Sequence, residues 1–98
     1  MPNWILESAE TPPVVLRLTP GSTRTIGRAA RADFILDAAL VSRVHCRLTA
    51  DRSDQLVVED LDSTNGTQVN GERVTRAVLR DGDTLTTGRV TFTVRREA

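Results

Sequence analysis

The sequence predicts an all-β domain, a sandwich or a barrel. Short apolar alternations recur along the whole chain, with turn signals between them. No stretch carries a sustained helical period; the one weak helical candidate, "RAARAD" at 28–33, is too short to stand alone. The length of 98 residues fits a single domain able to bury one real core without metals or disulfides.

The runs follow in order. "WILE" at 4–7 is the first. The loose segment "ESAETPPV" follows it, and Pro12-Pro13 makes an extended lead into "VVLRL" at 14–18. Pro20-Gly21 breaks the chain before "TRTIG" at 23–27, and "DFIL" follows at 33–36. "VHCRL" at 44–48 and "LVVED" at 56–60 are separated by the polar turn Asp51 to Asp54. Asn65-Gly66 precedes "TQVNG", whose Asn70-Gly71 leads directly into "ERV". Both dipeptides tolerate positive φ and mark tight turns. "AVLR" and "DTLTTG" flank Asp81-Gly82-Asp83. In the last run, "VTFTVRR", Val90, Phe92 and Val94 share one face and Thr91, Thr93 and Arg95 the other, the period of a half-buried strand. The polar clusters fall between runs, in loops, where binding residues concentrate.

Composition narrows the function classes. The formal net charge is zero, so a general attraction to nucleic acid or to an anionic membrane is not expected. Every basic residue is arginine, the better planar partner for phosphate or carboxylate. Codon bias in a GC-rich genome is the leading explanation of that usage, so composition permits an anion site without demanding one. The single cysteine, Cys46, excludes an internal disulfide and a cysteine metal cluster. The opening "MPNWILESAE" lacks a basic start and an apolar run of signal-peptide length, and the expectation is a soluble, cytoplasmic domain.

Two polar clusters invite chemistry. Ser42 and His45, three apart in "VSRVHC", could be a nucleophile and its base. Three apart on a strand they would face opposite sides, and a histidine that props a loop is the competing reading. "DLDSTNG" invites calcium, but counting from Asp60 puts Asn65 where an EF-hand needs glycine and Gly71 where it needs glutamate. "NGT" at 65–67 spells a glycosylation acceptor, idle without a secretory signal. An anion site is the remaining reading. Arg28 after Gly27, Ser42 with Arg43, and Thr64-Asn65-Gly66 together supply charge, hydroxyl donors and a side-chain amide suited to gripping a peptide backbone. Recognition of a phosphorylated side chain in an extended peptide needs that combination.

Four blocks in order, "IGR" at 26–28, "VSRVH" at 41–45, "EDLDSTNGTQVNG" at 59–71 and "LRDGDTLTTG" at 79–88, resemble the forkhead-associated (FHA) domain family. The resemblance spans residues 14–95, with 1–13 as an N-terminal strand and lead-in, so that 1–98 forms one domain. It implies a β-sandwich of two antiparallel sheets with about eleven strands and binding loops at one end. It further implies a non-enzymatic module that binds phosphothreonine peptides in Ser/Thr kinase signalling, its partner being such a kinase or a kinase substrate, with no cofactor and no metal. An FHA-like scaffold for phosphorylation-independent contacts is the alternative. By resemblance, Arg28 and Ser42 are the main phosphate ligands and Arg43 assists. Thr64 contacts the phosphate and lines a pocket for the threonine methyl. Asn65 bonds the peptide main chain. Gly27, His45 and Gly66 shape and brace the loops. Leu40 and Gln68 are candidate lining residues. Cys46 and Phe34 depart from the commoner alanine and isoleucine, changes expected to adjust packing only.

Overall fold

The computed structural model describes residues 2–97. Each of the eleven apolar runs forms a strand: β1 Trp4–Ser8, β2 Val15–Leu18, β3 Ser22–Gly27, β4 Phe34–Ile35, β5 Cys46–Ala50, β6 Leu56–Asp60, β7 Thr67–Val69, β8 Glu72–Val74, β9 Arg76–Leu79, β10 Thr84–Thr87 and β11 Val90–Arg96. They build a six-stranded sheet, β2-β1-β11-β10-β7-β8, and a five-stranded sheet, β4-β3-β5-β6-β9. The pairings resolved in both sheets are antiparallel except one. β4 lies parallel to β3 through Ile26↔Phe34 and Gly27↔Ile35, a short edge pairing that refines the expectation of purely antiparallel sheets.

The burial pattern follows the period-two rule wherever one face meets the core. In β11 Val90, Phe92 and Val94 are buried and Thr91, Thr93 and Arg95 exposed. In β5 Cys46, Leu48 and Ala50 turn inward, and β10 contributes Leu85. Leu6, Leu18, Ile26, Leu48, Leu56, Val58, Leu79, Leu85, Phe92 and Val94 form the centre of one cluster fed by both sheets. Each such side chain contributes about 1.5–3 kcal/mol on burial, so this cluster carries most of the favourable folding energy. Cys46 belongs to it. Burial, with help from the nearby Asp60 charge, pushes its thiol up to about 12, so it packs as a small neutral apolar group.

Local hydrogen bonds explain the turns. "RAARAD" makes a turn, not a helix: Ala32 N–H donates to Ala29 O at 3.0 Å. The Asp33 carboxylate then accepts the Thr25 N–H at 2.9 Å, tying the segment back to β3 before a helical nucleus could form. Asn70 and Gly71 have φ of 51° and 84°, and Val69 pairs with Glu72 across them, a two-residue hairpin loop. Among the described residues no helix is long and apolar enough to cross a membrane.

The register decides where the loops gather. Ile26 pairs with Cys46, and Cys46 with Asp60. The end of β3, the start of β5 and the end of β6 therefore lie side by side. The connections 28–33, 36–45 and 61–66 all emerge there, at one end of the sandwich.

Candidate functional site

The middle connection, 36–45, is gripped from both sides. Four successive carbonyls accept hydrogen bonds: Leu40 O from Asn65 Nδ2 at 3.1 Å, Val41 O from Arg28 Nε at 3.1 Å, Ser42 O from Arg28 N at 3.0 Å, and Arg43 O from Ala29 N at 3.0 Å. Leu40 is held at φ 68°, a left-handed conformation that costs a leucine about 1–2 kcal/mol. Asn65 and Arg28, two of the expected ligand residues, thus also fix the backbone between themselves.

Gly27 has a steric role. A Cβ there would collide with the Arg43 carbonyl, so the end of β3 can lie against Arg43 and Val44 only as glycine. Gly66 sits at φ 86°, and a Cβ there would come within 2.7 Å of Arg73 Nε. Both glycines expected to shape the loops are buried at the points of closest approach.

His45 is fully buried, and both ring nitrogens are in use. Nδ1 accepts the Ser42 backbone N–H at 3.0 Å, and Nε2 lies 2.8 Å from Gly66 O. A carbonyl can only accept, so Nε2 carries the proton, Nδ1 does not, and the ring is neutral. The histidine therefore joins connections 36–45 and 61–66 from beneath. Its Nδ1 takes the Ser42 backbone N–H rather than the hydroxyl, which removes the nucleophile–base pair considered from sequence.

The Ser42 hydroxyl has a different neighbour. Its oxygen accepts the Thr64 N–H at 3.0 Å, which fixes its lone pairs inward and leaves its own proton to donate outward. Arg28 is similarly divided: Nε is occupied by Val41 O, and the two terminal nitrogens remain for a ligand. Thr64, Asn65 and Arg43 are exposed beside them.

The loop bearing Thr64 and Asn65 is closed by Asp60. Its Oδ1 accepts the Ser63 hydroxyl at 2.5 Å and the Thr67 hydroxyl at 2.7 Å, and its Oδ2 accepts the Ser63 N–H at 3.1 Å. Ser63 Oγ in turn accepts the Gly66 N–H at 3.0 Å. Partial burial pushes the Asp60 carboxyl up, but these hydrogen bonds outweigh it and hold the group below the usual carboxylate value.

Two hollows meet over this scaffold. One, of about 470 Å³, is lined by Arg28, Ser42, Thr64 and Asn65 with Asp37 and residues 38–41. The other, of about 530 Å³, shares Arg28, Ser42 and Thr64 and adds Arg31, Arg43 and Asp62. All five expected ligand residues, Arg28, Ser42, Arg43, Thr64 and Asn65, line one or both. Leu40 lines the first; Gln68 lines neither. Sequence reasoning missed Arg31, Asp37, Asp62 and the Asp60 network. The "D-x-x-S" spacing of Asp60 and Ser63 was the available signal for the last. No group of three His, Cys, Asp or Glu side chains among the described residues is placed to hold a metal ion.

A sandwich whose end loops converge an arginine, a serine hydroxyl and an asparagine amide defines a class of loop-borne recognition domains. Comparison with known proteins gives the family: the FHA domain model matches residues 24–88, and the chain belongs to that family. The chain is 45% identical over 67 residues to the transcriptional regulatory protein EmbR of Mycobacterium tuberculosis, covering 67% of this chain and 17% of that protein. It is 42% identical over 73 residues to the ABC transporter ATP-binding/permease protein Rv1747 of the same organism, covering 74% of this chain and 8% of the relative. The chain thus spans only a small part of these curated relatives. Among solved structures, one from a study of phosphothreonine-dependent FHA domain interactions superposes with a TM-score of 0.89 at 32% identity, covering 98% of each chain. The FhaA FHA domain, complexed with the intracellular domain of Rv3910, superposes at 0.86 with 34% identity, covering 94% of this chain and 99% of that one.

Proposed function

We propose that this chain is a non-catalytic module that binds phosphothreonine-containing peptides in Ser/Thr kinase signalling in the cytoplasm. Residues 1–98 would act as one unit, with the binding core in 14–95 and residues 1–13 as its N-terminal strand and lead-in. Its partner is a protein phosphorylated on threonine, a Ser/Thr kinase or a kinase substrate.

The observation that carries this reading is the division of labour at Arg28 and Ser42. Each has one polar atom committed to the scaffold and donors left over, aimed at the same hollow. A phosphate ester brings three acceptor oxygens and about −1.5 to −2 charges at neutral pH, which suits a site made of spare donors. In this assignment Arg28 and Ser42 hold the phosphate and Arg43 adds charge from the neighbouring hollow. Thr64 contacts the phosphate and the threonine methyl. Asn65 keeps its side-chain carbonyl and second amide proton for the peptide main chain. Gly27, His45 and Gly66 support the loops. The phosphothreonine-dependent interactions of one superposed structure agree with this reading.

A pull-down from a phosphothreonine peptide library tests it. Enrichment of phosphorylated over plain members is expected, and it would be lost with Arg28→Ala. Capture that ignores phosphorylation would instead support a phosphorylation-independent scaffold.

A further inference from the structure

The second hollow is more basic than a single phosphate requires. The first sets Arg28 against Asp37; the second sets Arg28, Arg31 and Arg43 against Asp62 alone. The ion pairs found among the described residues use Arg17, Arg47, Arg95 and Arg96, so Arg31 and Arg43 stay without a carboxylate partner. Their backbones are not loose. Arg31 sits in the turn that Ala32 N–H closes on Ala29 O at 3.0 Å, between buried Ala32 and the β3 end. Ala29 N–H in turn holds Arg43 O at 3.0 Å, so the two arginines are carried by connections bonded to each other. The backbones that carry the two arginines are therefore held, and their exposed guanidinium groups line the hollow beside the Arg28–Ser42 centre that Leu40 and Asn65 do not line.

We propose that Arg31, together with Arg43, which it shares with the phosphothreonine site, forms a second anion subsite, and that the preferred ligand carries a second anionic side chain close to its phosphothreonine. The inference rests on the phosphothreonine reading and extends it from one charged residue to two. The subsite recognises oxyanion chemistry, which a second phosphorylated residue or a glutamate can supply. A phosphate brings more charge and more acceptors than a carboxylate and makes the better match to two guanidinium groups. Arg31 is the residue that separates this subsite from the first, because it lines only the second hollow and, unlike Arg43, has no part in holding the phosphothreonine phosphate.

The test is calorimetry with a peptide bearing one phosphothreonine, and with versions adding phosphoserine or glutamate two or three residues to either side. A second phosphate on one side, not the other, is expected to tighten binding about tenfold, the scale of one additional charge-assisted contact. Glutamate at the same place gives a smaller gain if phosphate is the natural source, and an equal gain if carboxylates suffice. Arg31→Ala should erase either gain while leaving affinity for the singly phosphorylated peptide unchanged. Arg31→Glu should turn the gain into a loss, and raised salt should shrink the gain. Tight single-phosphate binding with no gain on either side, or a gain that survives Arg31→Ala, overturns the subsite alone. Failure of the singly phosphorylated peptide to bind overturns the underlying reading and the subsite with it.

Discussion

At the residue scale, Arg28 is the most constrained ligand candidate, because its side chain serves two masters. Nε holds Val41 O while the terminal nitrogens face the hollow. Arg28→Ala should weaken phosphopeptide binding by about 2–4 kcal/mol, since a charged donor to a desolvated anion is lost. The domain should still fold, because the side chain is exposed and outside the core. Arg28→Lys should recover little: an ammonium cannot donate sideways to Val41 O and present a planar fork at once. Titration of both variants beside thermal melts checks this. Wild-type affinity in a folded Arg28→Ala protein would remove Arg28 from the site. His45 behaves differently. His45→Ala leaves the Ser42 N–H and the Gly66 carbonyl without their partner, and each orphaned buried group costs about 1–3 kcal/mol. Stability and affinity should therefore fall together, seen as a lowered urea midpoint with weaker binding.

Among the elements, the loop 61–66 is held by a carboxylate, so its order should depend on pH. The Asp60 carboxyl is held below its ordinary value of 3.8, the value it regains in the unfolded chain. A depressed native value means that the stabilisation is fully present above the unfolded pKa and is lost as pH falls through the native one. Urea midpoints measured from neutral pH downward should stay level until about pH 4 and then fall more steeply than those of Asp60→Asn, which has no such charge to lose. Parallel acid limbs in the two proteins would contradict this role. The strands themselves were the most legible part of the sequence. Runs such as "VTFTVRR" and "VHCRL" declare their two faces locally, and all eleven became strands. The parallel edge pairing of β4 was hidden because only two residues make it and its register depends on tertiary approach. The ligand candidates Arg28, Ser42, Arg43, Thr64 and Asn65 stood out because motif spacing marks loops. Arg31 and Asp62 did not, since their place beside Arg43 exists only once β3, β5 and β6 are in register.

For the molecule as a whole, two sheets share one core, and the site stands on the ends of strands that the core aligns. Phe92 is the largest fully buried side chain, set in β11 between β1 and β10. Phe92→Ala should cost about 3–5 kcal/mol, a large part of the stability of a domain this size, and denaturation followed by Trp4 fluorescence and by circular dichroism should shift together. Separate transitions would mean that the sheets fold as independent units. The central claim, however, is that this scaffold reads phosphothreonine by its shape and charge together. Calorimetry on four peptides that differ only at one residue, phosphothreonine, phosphoserine, glutamate or threonine, tests it most directly. The account predicts tightest binding to phosphothreonine and weaker binding to phosphoserine, which lacks the methyl that Thr64 would meet. Glutamate, with one planar charge, should bind far more weakly, and plain threonine should give almost no heat. Equal affinity for the glutamate and phosphothreonine peptides would contradict the account.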